Sequence, residues 1–374
     1  MADKLERALL LAEMEYDYSP QNRWEKLSIP DQNNLVDICS TIRNLLATHR
    51  DAEWSVNLTG GNKIMSLAAN QVFTEGNRKR FYYEISRPGE ILGLHDNSII
   101  PCNCPLNCSQ FLACYGFKIL PKSQMEKPAD YFPIALRLAS DPDGIRIRPE
   151  ICKNRDEWKK LRDGKFRAMQ GDIILKNPDL AVEFDRFRKS QESQANAGSR
   201  IISFEEGCLM GLIDKPTGDF LTGGWLEIFF YELLRTRLDD PQIRDVHRNA
   251  AIQSLPYDPV GKGVENELDV CFMHRQRFCA LECKTGDQEH DPDADSLYKL
   301  EAVLHSFRAL RFRAIFATTS PLIYDLKTGK IKESLQNRFD LYGCRILDRA
   351  KIKEIADKAL EGTTEQLKEL LLPD

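Results

Sequence analysis

The sequence predicts an α/β protein of two or three domains, and three observations support this prediction. The chain has 374 residues, which is enough for at least two domains that each bury a hydrophobic core. Residues 52–73, AEWSVNLTGGNKIMSLAANQVF, show the pattern of a strand, a glycine turn and a helix. Residues 265–270 and 280–286, ENELDV and ALECKTG, are typical of the two strands of one hairpin.

The composition is that of an ordinary globular protein, with 42% hydrophobic and 29% charged residues. No apolar run is long enough to cross a bilayer, and acidic residues within the first apolar stretch argue against a secretory signal. We therefore expect a soluble, cytoplasmic protein that does not bind membranes. Because the net charge is −5, nucleic acid would have to be bound through local basic patches or a metal ion.

Eleven cysteines, an odd number, are spread along the chain, which favours reduced thiols over a disulfide framework. Four of them lie close together in sequence: Cys102, Cys104, Cys108 and Cys114. They lack paired CxxC spacing, so residues 107–117 are better explained as a short amphipathic helix with cysteines as small hydrophobic residues than as a zinc site. The six histidines form no HxH or i,i+4 pair, which argues against a histidine metal site, and His274 is expected to be exposed in the hairpin turn.

The turn within residues 52–73 has features of an anion-binding loop. In a doubly wound sheet such a loop lies at the carboxyl edge of a strand, where backbone N–H groups and the amino end of the next helix attract anions. Gly60 and Gly61 would let the backbone approach a phosphate closely. Thr59 and Asn62 offer hydrogen bonds, and Lys63 adds a positive charge. The TGGxK pattern alone is weak, because a tight turn with a surface lysine explains it equally well.

The hairpin strands carry acids and a lysine whose positions depend on the register. If the turn centres on residues 275–276, Asp269 lies opposite Glu282 and Glu267 lies opposite Lys284, and all four side chains share one face. A solvated amphipathic hairpin is the alternative. It fits less well, because LDVCF is apolar apart from Asp269 and FCALEC is apolar up to Glu282.

Two facing carboxylates repel each other unless a cation lies between them. Mg²⁺ and Mn²⁺ prefer such oxygen ligands together with water and phosphate oxygens. The Lys284 ammonium beside the ion could position a water molecule or stabilise negative charge in the transition state. The arrangement therefore predicts hydrolysis of phosphodiester bonds.

The order of these acids resembles that of the PD-(D/E)xK nuclease superfamily. The resemblance matches Glu227, within the predicted helix GGWLEIFFYELL, Asp269 on a strand, and the ExK triplet of residues 282–284. It implies a metal held by Glu227, Asp269, Glu282 and the backbone carbonyl of Cys283, with Lys284 catalytic.

Further motifs, NELDV, ECKTG and DSLYKLE, resemble the nuclease half of CRISPR-associated CARF nucleases over residues 201–374. This likeness adds Glu267 and Lys299 as less central members of the site. For Lys299, a helix-surface position with no role is the alternative.

The segment NLTGGNKIMSLAA resembles the signature of the CARF domain, a Rossmann-like sensor of the cyclic oligoadenylates made in type III CRISPR defence. The resemblance implies a homodimer that holds one cyclic tetra-adenylate across its two-fold axis and thereby switches on the nuclease. The implied ligand-binding residues are Asn57, Thr59, Gly60, Gly61, Asn62 and Lys63. Compared with the family, the chain is expected to lack roughly the first βα unit of the CARF fold.

The sequence thus predicts a Rossmann-like CARF domain over residues 1–120, a connector over 121–200 and a PD-(D/E)xK α/β domain over 201–374. The expected function is cleavage of single-stranded RNA or DNA with Mn²⁺ or Mg²⁺, under control of cyclic tetra-adenylate. Two alternatives remain at this point: a non-catalytic cyclic-nucleotide-binding signalling module, and an unregulated nuclease of the restriction or repair type.

Overall fold

In the computed structural model the chain forms two compact units, one within Leu10–Leu106 and the other from Asn107 onward. No helix among the described residues is both long and apolar enough to cross a membrane. The structure describes residues 27–58, 62–75, 79–84, 90–94, 96–101, 106–115, 117–120, 128–141, 168–174, 182–183, 185–186, 203–205, 208–214, 219–254, 265–275, 277–285 and 312–372.

The first unit is a small α/β arrangement built on a four-stranded sheet. Its sheet has the order β1-β2-β3-β4, in which β1 and β2 are parallel and the other pairs are antiparallel. A helix joins the two parallel strands, as a parallel pair requires, so the predicted strand and helix are confirmed, while the glycines of the predicted turn lie outside the described residues. The elements are α1 (Leu35–Thr48), β1 (Trp54–Asn57), α2 (Lys63–Thr74), β2 (Lys79–Glu84), β3 (Glu90–Gly93) and β4 (Ser98–Pro101).

Helix α2 packs against α1 through one face. Ala68 and Val72 of α2 are buried together with Ile38 and Cys39 of α1. Leu67, which helical periodicity assigns to the same buried face, is 62% exposed. Leu67 is exposed because the buried stripe of a two-helix contact is narrower than the apolar face of the helix.

The second unit contains a six-stranded mixed sheet and a separate three-stranded antiparallel sheet of order β6-β8-β7. The large sheet has the order β13-β12-β11-β10-β9-β5, with β11, β12 and β13 parallel and the other neighbours antiparallel. Its elements are α3 (Cys108–Cys114), β5 (Phe117–Leu120), α4 (Pro128–Ser140), β6 (Ala168–Ile174), β7 (Ser203–Glu205), β8 (Cys208–Asp214), α5 (Trp225–Thr236), β9 (Ile243–Ser254), β10 (Glu265–His274), β11 (Arg277–Lys284), β12 (Phe312–Thr318), α6 (Glu333–Tyr342), β13 (Cys344–Leu347), α7 (Arg349–Glu361) and α8 (Thr364–Leu371).

The main core lies between the large sheet and three helices. Helix α5 is almost entirely buried, with Phe229, Phe230 and Leu233 fully enclosed. Helix α4 packs on α5 and α7, and its buried side includes Ile134 and Leu138. This core fixes helix α5, and with it Glu227, relative to the central hairpin β10–β11.

Two predictions about the middle of the chain differ from the structure. Residues 107–120 were assigned to the first domain, but β5 pairs with β9 in the large sheet of the second unit. Residues 128–140, predicted as part of a largely irregular connector with some helix, form helix α4, which is buried in the main core of the second unit. Both segments are too short for their sequence pattern to show which unit they pack in, because that depends on partners distant in sequence. The predicted short helix of residues 108–114 is confirmed, with Asn107 as its N-cap.

Candidate functional site

The predicted register of the central hairpin is confirmed. Val270 pairs with Leu281 and His274 pairs with Arg277, which centres the turn on residues 275–276. His274, however, is only 3% exposed, so the prediction that it is exposed is wrong. It lies 4.0 Å from a carboxylate oxygen of Asp240, and its burial lowers its pKa to about 4.

The structure brings Asp269 and the ExK strand together. Asp269 is 8% exposed, and its Oδ2 atom accepts a hydrogen bond of 2.7 Å from the backbone N–H of Cys283. The side chain of Cys283 lies in the main core. Asp269 is therefore anchored to the middle residue of the triplet that carries Glu282 and Lys284.

Glu282 and Lys284 form an ion pair at the carboxyl end of β11. Glu282 is 3% exposed, and its Oε1 atom lies 2.7 Å from Nζ of Lys284. Burial alone would lower the pKa of Lys284, but the carboxylates of Glu282 and Asp269 more than offset it, so that the pKa is raised. Lys284 is therefore a cation at neutral pH.

The beginning of helix α5 lies against the end of β11. A Cβ atom added to Gly223, two residues before the helix, would come within 2.9 Å of Oγ1 of Thr285. Glycine at this position therefore permits the close approach that brings the first turn of α5, with Glu227, to the strand end that carries Lys284. The helix placement of Glu227 is as predicted.

Glu227 has the most perturbed carboxyl group among the predicted site residues. Burial is the largest cause that raises its pKa to about 8, and the nearby charge of Asp269 is the second. Arg248 lies 3.9 Å away and acts in the opposite direction, as does Lys284, whereas Glu267 raises the pKa further. In the absence of a cation, Glu227 thus holds a proton at neutral pH.

The carboxylates of the site have the chemistry that a divalent metal ion requires. Glu227, Asp269 and Glu282 offer hard oxygen ligands of the kind that Mg²⁺ and Mn²⁺ prefer. Burial, and then the charge of Asp269, keep a proton on Glu227, and a divalent cation at the same place would remove the need for that proton. The residues present therefore fit such an ion.

Arg248 on strand β9 is a member of the site that sequence analysis missed. It is 5% exposed, and burial lowers its pKa while the charge of Glu227 opposes that effect. A single arginine within a strand gives no local signal of function, because its partner is contributed by a helix elsewhere in the chain.

Several predicted site residues can be placed and others cannot. Glu267 lies on β10 and is close enough to influence Glu227. Asn57 ends β1, and Asn62 is the N-cap of α2, where its Oδ1 atom accepts the N–H of Met65 at 2.8 Å. Lys63 is exposed at the start of the same helix, whose first turn contains no acidic residue. Thr59, Gly60, Gly61 and Lys299 lie outside the described residues.

An antiparallel hairpin that carries an acid and an ExK triplet, covered by a helix with a further acid, defines a restriction-endonuclease-like domain. Comparison with protein families agrees with this class. Residues 214–342 match the endonuclease domain of Card1-like proteins, and residues 3–98 match the Card1 CARF domain. The chain therefore belongs to the CARF-domain endonucleases of the Card1 type.

Two solved structures share the fold over nearly the whole chain. Protein VC1899 from Vibrio cholerae is 18% identical with a TM-score of 0.69, over 98% of this chain and 89% of that protein. Can2 from Sulfobacillus thermosulfidooxidans, in complex with cyclic tetra-adenylate, is 19% identical with a TM-score of 0.63, over 97% of this chain and 89% of that protein. No individual curated protein matches the chain.

Proposed function

We propose that the protein is a metal-dependent endonuclease that hydrolyses phosphodiester bonds in single-stranded RNA or DNA and is activated by cyclic tetra-adenylate in type III CRISPR defence. The observation that carries this proposal is the crowding of Glu227, Asp269 and Glu282 around Lys284. Buried carboxylates repel one another, and such a cluster is retained where a cation and a substrate phosphate use it.

Each residue of the cluster has a distinct role in this proposal. Asp269 and Glu282, with the backbone carbonyl of Cys283 and with Glu227, hold Mn²⁺ or Mg²⁺. When bound, such an ion polarises a phosphoryl oxygen and lowers the pKa of a bound water molecule. Lys284, already a cation, stabilises the negative charge that develops on the phosphate in the transition state.

Three further charged residues complete the proposed site. Arg248 is held beside Glu227, where its buried charge offsets part of the carboxylate repulsion. Glu267 adds negative potential on the same strand as Asp269. Lys299 is proposed on sequence grounds alone as a further cation near the substrate.

The likeness to Can2, solved with cyclic tetra-adenylate, and the match to a CARF domain support control by this ligand. The residues proposed to contact it are those of the loop between β1 and α2, with Asn57 and Lys63 at its two ends. Lys63 is exposed in a helix turn without acids, so an anionic ligand meets no competing negative charge there. A homodimer of the first unit would present two such loops to a two-fold symmetric ring.

Cleavage assays with purified protein test the nuclease part. The protein is incubated with Mn²⁺ and labelled single-stranded RNA, single-stranded DNA or plasmid, with and without cyclic tetra-adenylate. Cleavage only with the ligand supports the proposal. Cleavage without it indicates an unregulated nuclease, and ligand binding without any cleavage indicates a non-catalytic signalling module.

Substitutions at the site provide the second test. Glu282→Ala and Lys284→Ala are expected to lower the cleavage rate by about 100-fold or more, because lost electrostatic stabilisation has costs of this size. The matched control is Lys353→Ala, which removes an exposed lysine that also forms a 2.7 Å ion pair, with Asp357. A rate within about tenfold of wild type for Lys284→Ala would contradict the assignment.

The sensor loop needs a substitution that separates binding from folding. Asn62→Ala removes the N-cap of α2 and would cost about 1 kcal/mol for that reason alone. Asn62→Ser keeps a capping oxygen but loses the amide, which also donates to the backbone carbonyl of Gln32 at 2.9 Å, whereas Lys63→Ala leaves both contacts intact. Both variants are expected to raise the ligand concentration needed for activation. Lys63→Ala should do so with an unchanged circular dichroism spectrum and melting temperature, and Asn62→Ser is compared at a temperature where its spectrum matches the wild type. Unaltered activation in both variants would argue against ligand contacts at this loop.

A further inference from the structure

A second group of metal-ligating side chains lies apart from the carboxylate cluster, and its members are far apart in sequence. Cys108 is the first residue of helix α3, while Asp245 and His247 lie on strand β9. One possible ligand atom from each of the three residues lies within 4.8 Å of those from the other two. The group therefore connects helix α3 to strand β9 of the large sheet.

Short hydrogen bonds hold the three residues in place. Asp245 accepts the backbone N–H of Cys108 at 2.6 Å through Oδ2 and lies 2.8 Å from Nε2 of His247 through Oδ1. The Cys108 thiol donates to the backbone carbonyl of Asp245 at 3.1 Å. Asp245 has a left-handed φ of 52°, which is uncommon within a strand and orients the residue so that both its carboxylate and its carbonyl contact Cys108.

A fourth potential ligand lies on the neighbouring strand. Cys271 of β10 is the direct cross-strand partner of His247. The Cys271 thiol lies near that of Cys108, and this neighbour and burial raise the pKa of Cys108. Cys271 is not one of the three residues whose ligand atoms all lie within 4.8 Å of one another, so its side chain would have to rotate toward the ion. Both cysteines are free and fully buried.

We propose that Cys108, Asp245, His247 and Cys271 bind a zinc ion, or a divalent cation of similar preference, that fastens α3 to strands β9 and β10. Two thiolates, an imidazole and a carboxylate are donors that tetrahedral zinc accepts, whereas Mg²⁺ does not select sulfur. This site differs from the cluster of cysteines in residues 102–114, since it uses only Cys108 from that segment.

The spacing allows such an ion after a small adjustment. With zinc bonds of about 2.0–2.1 Å to nitrogen and oxygen, neighbouring ligands of a tetrahedron lie roughly 3.3 Å apart. The 2.8 Å contact between His247 and Asp245 would have to open by about half an ångström, which a small side-chain rotation provides. The ion then replaces the proton that the two side chains share, and it also displaces the thiol protons.

The proposed ion uses none of the residues of the carboxylate cluster, although the two sites are neighbours. Cys271 is the cross-strand partner of His247 and lies two residues from Asp269 on β10, so these three side chains share one face of the sheet. The proposed ligands lie one side-chain position further along β10 than Asp269, next to Cys108 of helix α3. The proposal does not depend on the nuclease assignment, because it rests on a different set of side chains, and removal of the ion is expected to affect stability before cleavage.

Metal analysis of the full-length protein tests the proposal directly. Protein dialysed against zinc is expected to retain about one ion per chain, and Co²⁺ in its place is expected to give a thiolate-to-cobalt charge-transfer band. This band distinguishes the site from the carboxylate cluster, which offers oxygen donors. Absence of both retained zinc and the cobalt band in the wild type would overturn the proposal.

Variants assign the ion to particular residues. Cys108→Ser and His247→Gln are each expected to weaken zinc binding by about 100-fold or more, since even outer-shell changes cost roughly 10–100-fold. Cys344→Ser, at a buried thiol in a separate core cluster, is the matched control, and Glu282→Gln tests independence from the catalytic site. Both controls are expected to bind zinc as the wild type does.

His247→Gln keeps the test decisive if Cys108→Ser fails to fold, because His247 is only partly buried. Full zinc content in His247→Gln, together with loss in a Cys102→Ser variant, would place the ion in the cysteine-rich segment and contradict the proposal. Chelation is expected to lower the melting temperature of the wild type and of Cys344→Ser, and to leave that of His247→Gln unchanged.

Discussion

The proton on Glu227 gives a testable link between stability, pH and metal binding. The folded protein raises the pKa of this carboxyl group from 4.5 to about 8, chiefly through burial and then through Asp269. Between these two pH values the folded state binds more protons than the unfolded state, so the free energy of unfolding falls as pH rises. Without a cation, Glu227 therefore stabilises the fold most at acidic pH and least above about pH 8.

The size of the effect follows from the shift. Each pKa unit corresponds to about 1.4 kcal/mol, so a shift of this size sets a ceiling of about 5 kcal/mol. The Glu227 side chain is 21% exposed, and Arg248 and Lys284 can adjust toward it, which reduces the expected value to about 2 kcal/mol. Glu227→Gln carries no titrating group and should lack this pH dependence.

The assay is urea unfolding of wild type and Glu227→Gln in EDTA, at pH values from about 5 to about 8. The variant is expected to become more stable relative to wild type by about 2 kcal/mol across this range. Taking the difference between the two proteins cancels the titration of every group they share. Parallel stability curves would refute the reasoning, because they would mean that Glu227 does not hold a proton in the folded protein.

Adding Mn²⁺ provides a second readout of the same group. The ion is expected to displace the Glu227 proton, so that calorimetric titration at neutral pH, repeated in buffers of different ionisation enthalpy, shows release of roughly one proton in the wild type. Glu227→Gln should bind the ion more weakly and release no proton from this position. Equal proton release in both proteins would contradict the assignment.

Three further predictions concern neighbouring residues. Arg248→Met removes a cation that lies 3.9 Å from Glu227, so metal-dependent stabilisation should increase while the metal-free protein loses about 1–3 kcal/mol by urea unfolding, the cost of leaving a buried polar group with fewer partners. Gly223→Ala should lower cleavage by forcing Thr285 away from the start of α5, and Thr285→Ala in the same chain should restore part of the rate. His274 is buried neutral with a pKa of about 4, so stability is lost as pH falls from about 6.5 to about 4, by at most about 3 kcal/mol; acid unfolding of His274→Gln should show a smaller loss.

The hairpin could be predicted in detail because its signals are local. Side chains alternate strictly along a strand, and a register shift of one residue would place Asp269 and Glu282 on opposite faces of the sheet. The turn residues therefore fixed both the register and the face shared by Asp269 and Glu282. The helix position of Glu227 was also predicted, from its place in a known motif order rather than from its own surroundings.

Features set by tertiary contacts could not be predicted in this way. Strand β5 joins the nuclease sheet because β9 offers it an edge, and β9 lies more than a hundred residues further along the chain. His274 is buried by its packing next to Asp240, although it lies at a turn, where residues are usually exposed. The contact between Cys108 and the β9 residues likewise spans 137 positions, so no motif spacing reveals it.

The ion pair between Lys284 and Glu282 indicates the order in which the site must be filled. Without a divalent cation, the ammonium of Lys284 occupies the position closest to a carboxylate oxygen, at 2.7 Å, and acts as the counter-ion. In the proposed mechanism, a metal ion bound by Glu282 and Asp269 would compete with that ammonium for the same oxygen, and its two positive charges would also remove the reason for the proton on Glu227. Metal binding would then convert a site whose lysine is engaged with Glu282 into one whose lysine is available to a phosphate, so we expect substrate binding as well as hydrolysis to depend on the ion.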